Sequence, residues 1–438
     1  MADLILEKLF EMDRWEAAIE NAVEKGMDKA QLRNACYPEF RRQMFRAITE
    51  RQYEIAPPVQ RDLPKDDGGI RTVYVNTTVD RLFLSMVNDI LMELCGPCMI
   101  HPSCKSYQKG IGCGQVVREA SLWLRDQRAT GNGEEICGFK ADISKYFDSV
   151  ERKYIEQVFE RIERITGPSK VIDIIRNYYR SDLCISKDGK VLRQYQGLKQ
   201  GSAVASFLAD ALLYELDRMM TEQSHSRYAR YSDDILLVSD HCEKLSQQLD
   251  GQLSEYSLHI KQSKFQYIDN RRWITFLGFA LKGDGTQISL SASRVRKFQD
   301  MITGCTIRSL RASGKSQEKA ARLVRSVQRE LYYGNGRYSW ATSVLPVVNC
   351  GKDLRTMDIY IKDCIRAAST GKTRIGGLGT DVYGKEGFLI RGTGRNVRAN
   401  RQKTDQRIEG YYSLSCMRNA YLSSRQAYDA LIRSWRMT

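Results

Sequence analysis

No apolar run in the 438-residue chain approaches the length of a membrane span, so no spanning helix is expected. The acidic, helix-patterned start from Met1 to Lys25 also lacks the cationic and apolar blocks of a secretion signal, which makes the cytoplasm the expected location. A small-protein disulfide framework is missing too. The twelve cysteines are scattered, and in a reducing compartment they act as small apolar side chains. Cys95-x-x-Cys98 leads to His101, Cys104 and Cys113 but has no properly spaced second pair, so buried thiols are expected there rather than zinc. There is no internal repeat.

What the chain does have is a core and an uneven charge. Apolar residues make up 42% of it, enough for a substantial globular interior spread over several sub-domains. Net charge is +15, but residues 291–438 carry 28 Lys+Arg against 11 Asp+Glu, a balance of +17. That leaves 40 against 42, or −2, for residues 1–290. A near-neutral body joined to a cationic end suits a polyanion held against that body, nucleic acid above all. A basic surface kept for solubility is the competing reading.

Ser226 to Asp240 runs Ser-Arg-Tyr-Ala-Arg-Tyr-Ser-Asp-Asp-Ile-Leu-Leu-Val-Ser-Asp. Tyr228–Tyr231 and Ile235–Val238 are patterned as short strands, with the acids Asp233 and Asp234 where the chain reverses. Adjacent carboxylates between apolar strands cost free energy unless a cation compensates them, and Mg2+ is held through one or two carboxylates plus phosphate oxygens. An ordinary acidic hairpin turn would need no ion. The stretch from Lys140 to Val150 supplies a third carboxylate, Asp142, at the end of a buried strand predicted over Cys137–Ile143. From there Asp142 can meet Asp233 on a neighbouring strand to make a two-metal site, or it can cap the helix that starts near Ser149.

Arg61-Asp62-Leu63-Pro64-Lys65-Asp66-Asp67-Gly68-Gly69-Ile70-Arg71 continues to Val75 and predicts a hairpin that projects Lys65 and Arg71. Two cations on one flap suit a triphosphate, with Arg gripping two oxygens and Lys acting as a point charge; an exposed hairpin with incidental charges is the alternative. Gly197-Leu198-Lys199-Gln200-Gly201-Ser202 opens a helix running to about Met220. A glycine-bracketed Gln200 can approach a nucleotide or template base closely, although a plain helix start would look the same.

Helix-period positions also mark 3–25, 39–52, Asp80–Leu94, Gln115–Asp126, 151–180 and Cys242–Tyr256, with a small hairpin over 183–195. His259–Tyr267 is extended and basic, Trp273–Phe279 returns as a strand, and 291–333 form one or two basic helices through Arg322, Arg325 and Arg329. The tail is glycine-rich from Gly371 to Gly394. It then carries Arg391, Arg395, Arg398, Arg401, Lys403 and Arg407, followed by Tyr411, Tyr412, Tyr421 and Tyr428. Cations interleaved with aromatics can track a backbone and stack bases; a flexible linker before a helical cap is the other view.

Taken in order, Pro64-Lys65-x-x-Gly68-Gly69-x-Arg71, Asp142 five residues before Phe147, Gln200-Gly201, Tyr231-x-Asp233-Asp234, Lys264 and Phe276-Leu277-Gly278 form a set that resembles reverse transcriptases over residues 60–280. The resemblance implies an α+β right-hand polymerase. Fingers and palm would occupy 1–285, the palm being an antiparallel sheet with helices on one face; a helical thumb would occupy 286–345 and a basic RNA-binding extension 346–438. Asp142, Asp233 and the adjacent Asp234, with the backbone of Ile143, would hold two Mg2+ ions, or Mn2+ as a substitute, that activate a primer 3′ hydroxyl and stabilise pyrophosphate. Lys65 and Arg71 would bind the triphosphate, and Phe147 would be the gate against a ribose 2′ hydroxyl. Gln200 and Gly201 would contact nucleotide and template, while Lys264, with Lys261 second, would protonate pyrophosphate.

Implied partners are dNTPs, an RNA template, in particular a structured non-coding RNA, and the cDNA product. Lys199 before Gln200 and Ser202-Ala203-Val204-Ala205 after it depart from the intron-encoded members, which usually carry proline there, and the tail has no Cys/His nuclease signature. Compact length and a basic tail look more like the bacterial unknown-group enzymes of antiphage defence, some of which copy a partner RNA. Retron, intron or diversity-generating types, an RNA-dependent RNA polymerase and a non-catalytic RNA-binding scaffold are the alternatives.

Overall fold

The computed structural model describes residues 3–24, 26–65, 69–108, 110–130, 136–223, 225–332, 339–370, 411 and 413–423. The Asp66-Asp67-Gly68 turn of the flap, the cations Arg391, Arg395, Arg398, Arg401, Lys403 and Arg407, and Tyr412 and Tyr428 lie outside the described residues.

Among the described residues the strands are β1 (Val59–Pro64), β2 (Ile70–Val75), β3 (Ile136–Asp142), β4 (Leu183–Ile185), β5 (Val191–Arg193), β6 (Ser226–Tyr231), β7 (Asp234–Ser239), β8 (Gln266–Asp269), β9 (Trp273–Phe276), β10 (Phe279–Lys282) and β11 (Ile288–Leu290). They form three sheets, in the orders β2-β1-β4-β5, β6-β7-β3-β8 and β11-β10-β9. Contacts divide the chain into two compact units, Met1–Ile111 with Gly138–Tyr267 and Gly112–Cys137 with Ile268–Thr438.

In the first unit, β1 and β2 pair antiparallel from Val59 opposite Val75 to Pro64 opposite Ile70, and β4 runs parallel to β1. The second sheet is organised by β7. Its Ile235, Leu236, Leu237 and Val238 are all buried, an apolar run that only a strand covered on both faces can carry. Helix Tyr214–Thr221 packs on β6 and helix Cys242–Glu255 on β7. Helix Val204–Leu212, buried at every position but Ser206, packs against Thr78–Leu94 and Arg152–Thr166. Side-chain caps start two helices where the sequence puts a small polar residue: at Thr78–Leu94 Thr77 Oγ1 accepts from Asp80 N–H at 3.2 Å, and at Lys170–Arg180 Ser169 Oγ accepts from Val171 N–H at 3.2 Å.

In the second unit, helix Cys113–Thr130 packs on β10, and helices Ala292–Arg311, Ser316–Tyr332 and Gly351–Thr370 pack on one another. Helix Leu414–Ser423 docks on Gly351–Thr370, where the buried Asp358 accepts from Tyr411 O–H at 2.7 Å and from Leu414 N–H at 2.9 Å. Among the described residues no helix is long and apolar enough to cross a membrane.

Five elements differ from their sequence patterns, two of them long helices that break. The one expected to run to about Met220 divides at Leu213 into Val204–Leu212 and Tyr214–Thr221, and 151–180 divides into Arg152–Thr166 and Lys170–Arg180. The single strand expected over Trp273–Phe279 is a tight hairpin, because Leu277 and Gly278 take φ of +48° and +77° and turn the chain between β9 and β10. Helix 3–25 breaks at Phe10 and Glu11 into Leu4–Leu9 and Met12–Glu24. Part of the expected extended run His259–Tyr267 is a 3-10 turn over Gln262–Lys264.

Candidate active site

β3 and β7 run antiparallel with Asp142 directly opposite Asp234. Opposed residues of such a pair project to one face, so the two carboxylates share it. Asp233 stands immediately before, in the two-residue link Ser232-Asp233 between β6 and β7. The chain beyond β3 is pinned from both sides: Ile143 N–H donates to the Asp233 carbonyl at 3.0 Å, Ser144 N–H to the His259 carbonyl at 2.8 Å, and Lys261 N–H to the Asp142 carbonyl at 2.7 Å. Three acids that lie 91 and 92 residues apart in sequence thus meet where these strands end.

Their electrostatics follow from crowding. Burial, then the charge of Asp142, pushes Asp233 above the usual carboxylate range. Asp234 is pushed up to about 6, by burial first and by Asp233 and Asp142, with Lys140 pulling the other way. Lys140, two residues before Asp142 and so on the same face of β3, has its own pKa lowered by burial, against the pull of Asp234. Lys264 donates through Nζ to Asp142 Oδ2. Burial opposes its charge, but that bond and the surrounding carboxylates hold the ammonium above its ordinary value.

Mg2+ keeps several waters and takes one or two carboxylates plus substrate phosphate, rather than a closed protein cage. Among the described residues no three carboxylate, imidazole or thiol side chains form a ready-made cage. Asp233 and Asp234, raised by burial and by the charge of neighbouring carboxylates, form with Asp142 an open oxygen donor set whose repulsion a dication compensates, so the residues here fit the ion. The cysteine cluster offers no such set. Cys95 and Cys104 are buried thiols, Cys113 is half-buried and Cys98 is exposed.

The other predicted residues gather around the acids in the same unit. Arg71 opposes Leu63 across the flap hairpin, and Lys65 N–H closes it on the Gly69 carbonyl at 2.7 Å. The charges of Lys65, Lys145 and Arg71 all act on Asp148, the neighbour of Phe147, and Arg71 also acts on Asp233. Tyr74 N–H, three residues beyond Arg71, donates to the Gln200 carbonyl at 2.7 Å. Gly201, at φ +112°, lies so close that a Cβ there would meet the Tyr74 carbonyl oxygen at 2.8 Å. Phe147 is half-buried, its ring edge-on to Tyr146 at 5.7 Å. Its carbonyl accepts from Leu198 N–H at 2.8 Å, and a side chain at Gly197 would collide with it. The flap, the Gln200-Gly201 loop, Phe147 and the acids are therefore one connected neighbourhood.

The family described as "Reverse transcriptase (RNA-dependent DNA polymerase)" matches residues 63–281, half of the chain, and this segment contains every residue of that neighbourhood. The chain belongs to the reverse transcriptase family. With membership comes the fold class, an α+β right-hand polymerase. The Retron Ec48 reverse transcriptase of Escherichia coli is 25% identical over 213 residues, 47% of this chain and 47% of the relative, so the chain spans about half the length of the curated relative it matches. Among solved structures, an apo telomerase from Candida tropicalis has TM-score 0.42 at 13% identity, covering 72% of this chain and 56% of that one. A partial Cas6-RT-Cas1–Cas2 complex has TM-score 0.35 at 18% identity, covering 58% and 43%. Among the reverse transcriptase's residues, the motifs do not mark Arg230, Asp210 and Asp217, all wholly buried behind the acidic turn. For Arg230 and Asp210 the signal was a charge closing the apolar runs Tyr228-Ala229-Arg230 and Leu208-Ala209-Asp210.

Proposed function

We propose that the chain is an RNA-directed DNA polymerase that adds deoxynucleotides to a primer 3′ hydroxyl. What carries the reading is the pairing of Asp142 with Asp234, beside Asp233, inside the segment that matches the family. Asp142 and Asp233 would hold the ions, with Asp234 adjacent and the Ile143 backbone alongside. Mg2+ bound there supplies the charge neutralisation and hydroxyl activation that phosphoryl transfer needs. Lys264 is kept protonated beside Asp142, the state required of a donor to departing pyrophosphate. Lys65 and Arg71 grip the triphosphate, the Phe147 ring excludes a 2′ hydroxyl, and Gln200-Gly201 contact the nucleotide and template. In this reading the template is a structured non-coding RNA copied into cDNA in bacterial antiphage defence. The Escherichia coli relative favours a retron-type enzyme as the second reading.

The test is the double change Asp233→Ala with Asp234→Ala, assayed on a primed RNA with dNTPs and, separately, with NTPs. cDNA synthesis should fall by about three orders of magnitude or more while RNA binding persists, and the wild type should prefer dNTPs. Undiminished synthesis by the double variant would refute the assignment; equal use of NTPs would favour an RNA polymerase. A discrete RNA recovered with the purified protein would support the template reading.

A further inference from the structure

Behind the turn that carries Asp233 and Asp234 lies a charge cluster that none of the roles above uses. Arg230, Asp210 and Asp217 are each 0% exposed. A guanidinium has five N–H donors, and its burial is tolerable only when they are met. Five contacts are present. Nε and Nη2 donate to Asp217 Oδ1 and Oδ2 at 2.8 and 2.6 Å, and Nη2 also to the Asp210 carbonyl at 3.1 Å. Nη1 donates to Asp210 Oδ1 at 3.5 Å and to the Ser232 carbonyl at 3.2 Å. The two acids are themselves held, Asp217 Oδ1 by Tyr228 O–H at 2.9 Å and Asp210 Oδ1 by Ser106 O–H at 2.7 Å.

Ser232 is where such a hold matters. It has φ of +59° and is the first of two residues joining β6 to β7, a position that glycine usually takes in a two-residue hairpin link. A serine there is strained and persists only when its surroundings over-determine it. Core stability alone does not call for three buried charges, since apolar residues of similar volume often serve as well. What the cluster adds is a fixed carbonyl at Ser232.

We propose that Arg230 is a positioning residue: clamped by Asp217 and Asp210, it grips the Ser232 carbonyl and sets the turn so that Asp233 and Asp234 face Asp142. The inference rests on the reading of these acids as ion ligands, and its test tells the two apart.

Arg230→Lys keeps the charge but has three donors and no planar fork. In the full-length chain, amide hydrogen exchange, Mn2+ binding by electron paramagnetic resonance and primer extension are compared. Exchange over residues 228–238 should rise about ten-fold, and Mn2+ affinity should fall about ten-fold, as when an outer-shell partner is lost. Exchange in helix Lys170–Arg180 and KM for dNTP should stay within about two-fold. Adding Ser232→Gly, which takes positive φ without strain, should restore at least half of the lost affinity; an arginine that only fills the core would give no such rescue. Should the lysine variant not fold, Ser106→Ala, which removes one hydroxyl from Asp210, takes its place, with an expected loss of Mn2+ affinity of about five-fold. Unchanged exchange at the turn in a folded variant, or exchange rising equally everywhere, overturns the proposal. A wild type that binds no Mn2+, together with exchange that rises only at the turn, discards the ion reading and leaves the positioning role standing.

Discussion

Asp234 shows what a single residue contributes before any ion arrives. Its carboxyl is held at about 6 against an ordinary 3.8, so the folded chain takes up this proton more readily than the unfolded one. Ionising the group therefore removes stability: its contribution is greatest at low pH, falls as pH rises between about 4 and 6, and stays lost above that. With chelator present, the melting temperature should fall across this window, and Asp234→Asn should remove part of the fall. Asp210, also raised to about 6, and the other buried carboxylates pushed upward, Asp233 among them, contribute the remainder. An identical slope in the variant would show that Asp234 is not the group responsible. The three acids were legible in the sequence because the order of the motifs around them is distinctive. Arg230 was not, because an arginine in a strand ordinarily points to solvent, and its partners lie 13 and 20 residues upstream on other elements.

Among the elements, β2 ties parts of the site that the sequence presented separately. It carries Arg71 near its start and bonds through Tyr74 to Gln200. Gly201 permits this approach, and its positive φ adds a second reason for glycine. Gly201→Ala should cost about 1–3 kcal/mol of stability and raise KM for dNTP more than it lowers RNA affinity, measured by thermal melting and steady-state kinetics. An unchanged KM would show that the β2 link does not reach the nucleotide. Both hairpins around the site were readable from alternation and turn residues. The β9–β10 turn was not, since Leu277 is an unusual occupant of a left-handed conformation and the apolar run through it looks continuous.

For the whole molecule, charge is the strongest sequence signal: the excess of +17 lies in residues 291–438. Arg322, Arg325 and Arg329 are exposed along one stripe of helix Ser316–Tyr332, as an amphipathic basic helix requires. Arg395, Arg398 and Arg401 fall outside the described residues, so their role is argued from charge alone. Reversing all three should weaken RNA binding and flatten the dependence of log K on log salt by roughly 2–3 units of slope, measured by binding titrations at several salt concentrations. Unaltered binding would exclude these arginines as RNA contacts. Most strands and helices of residues 60–258 were legible in type because their period is regular, though not the breaks near Gly167 and Leu213, whereas the glycine-rich stretch beyond Gly371 is only weakly periodic.

The anchoring of Tyr411 and Leu414 on Asp358 has a consequence for the continuity of the polypeptide. Beyond the covalent linkage, the bonds of Tyr411 and Leu414 to Asp358 and of Arg418 Nε to the Val348 carbonyl at 2.6 Å hold the Leu414–Ser423 helix in place. A single backbone nick between Thr370 and Tyr411 should leave two pieces that co-elute in size-exclusion chromatography; their separation would show that these bonds alone do not hold the helix.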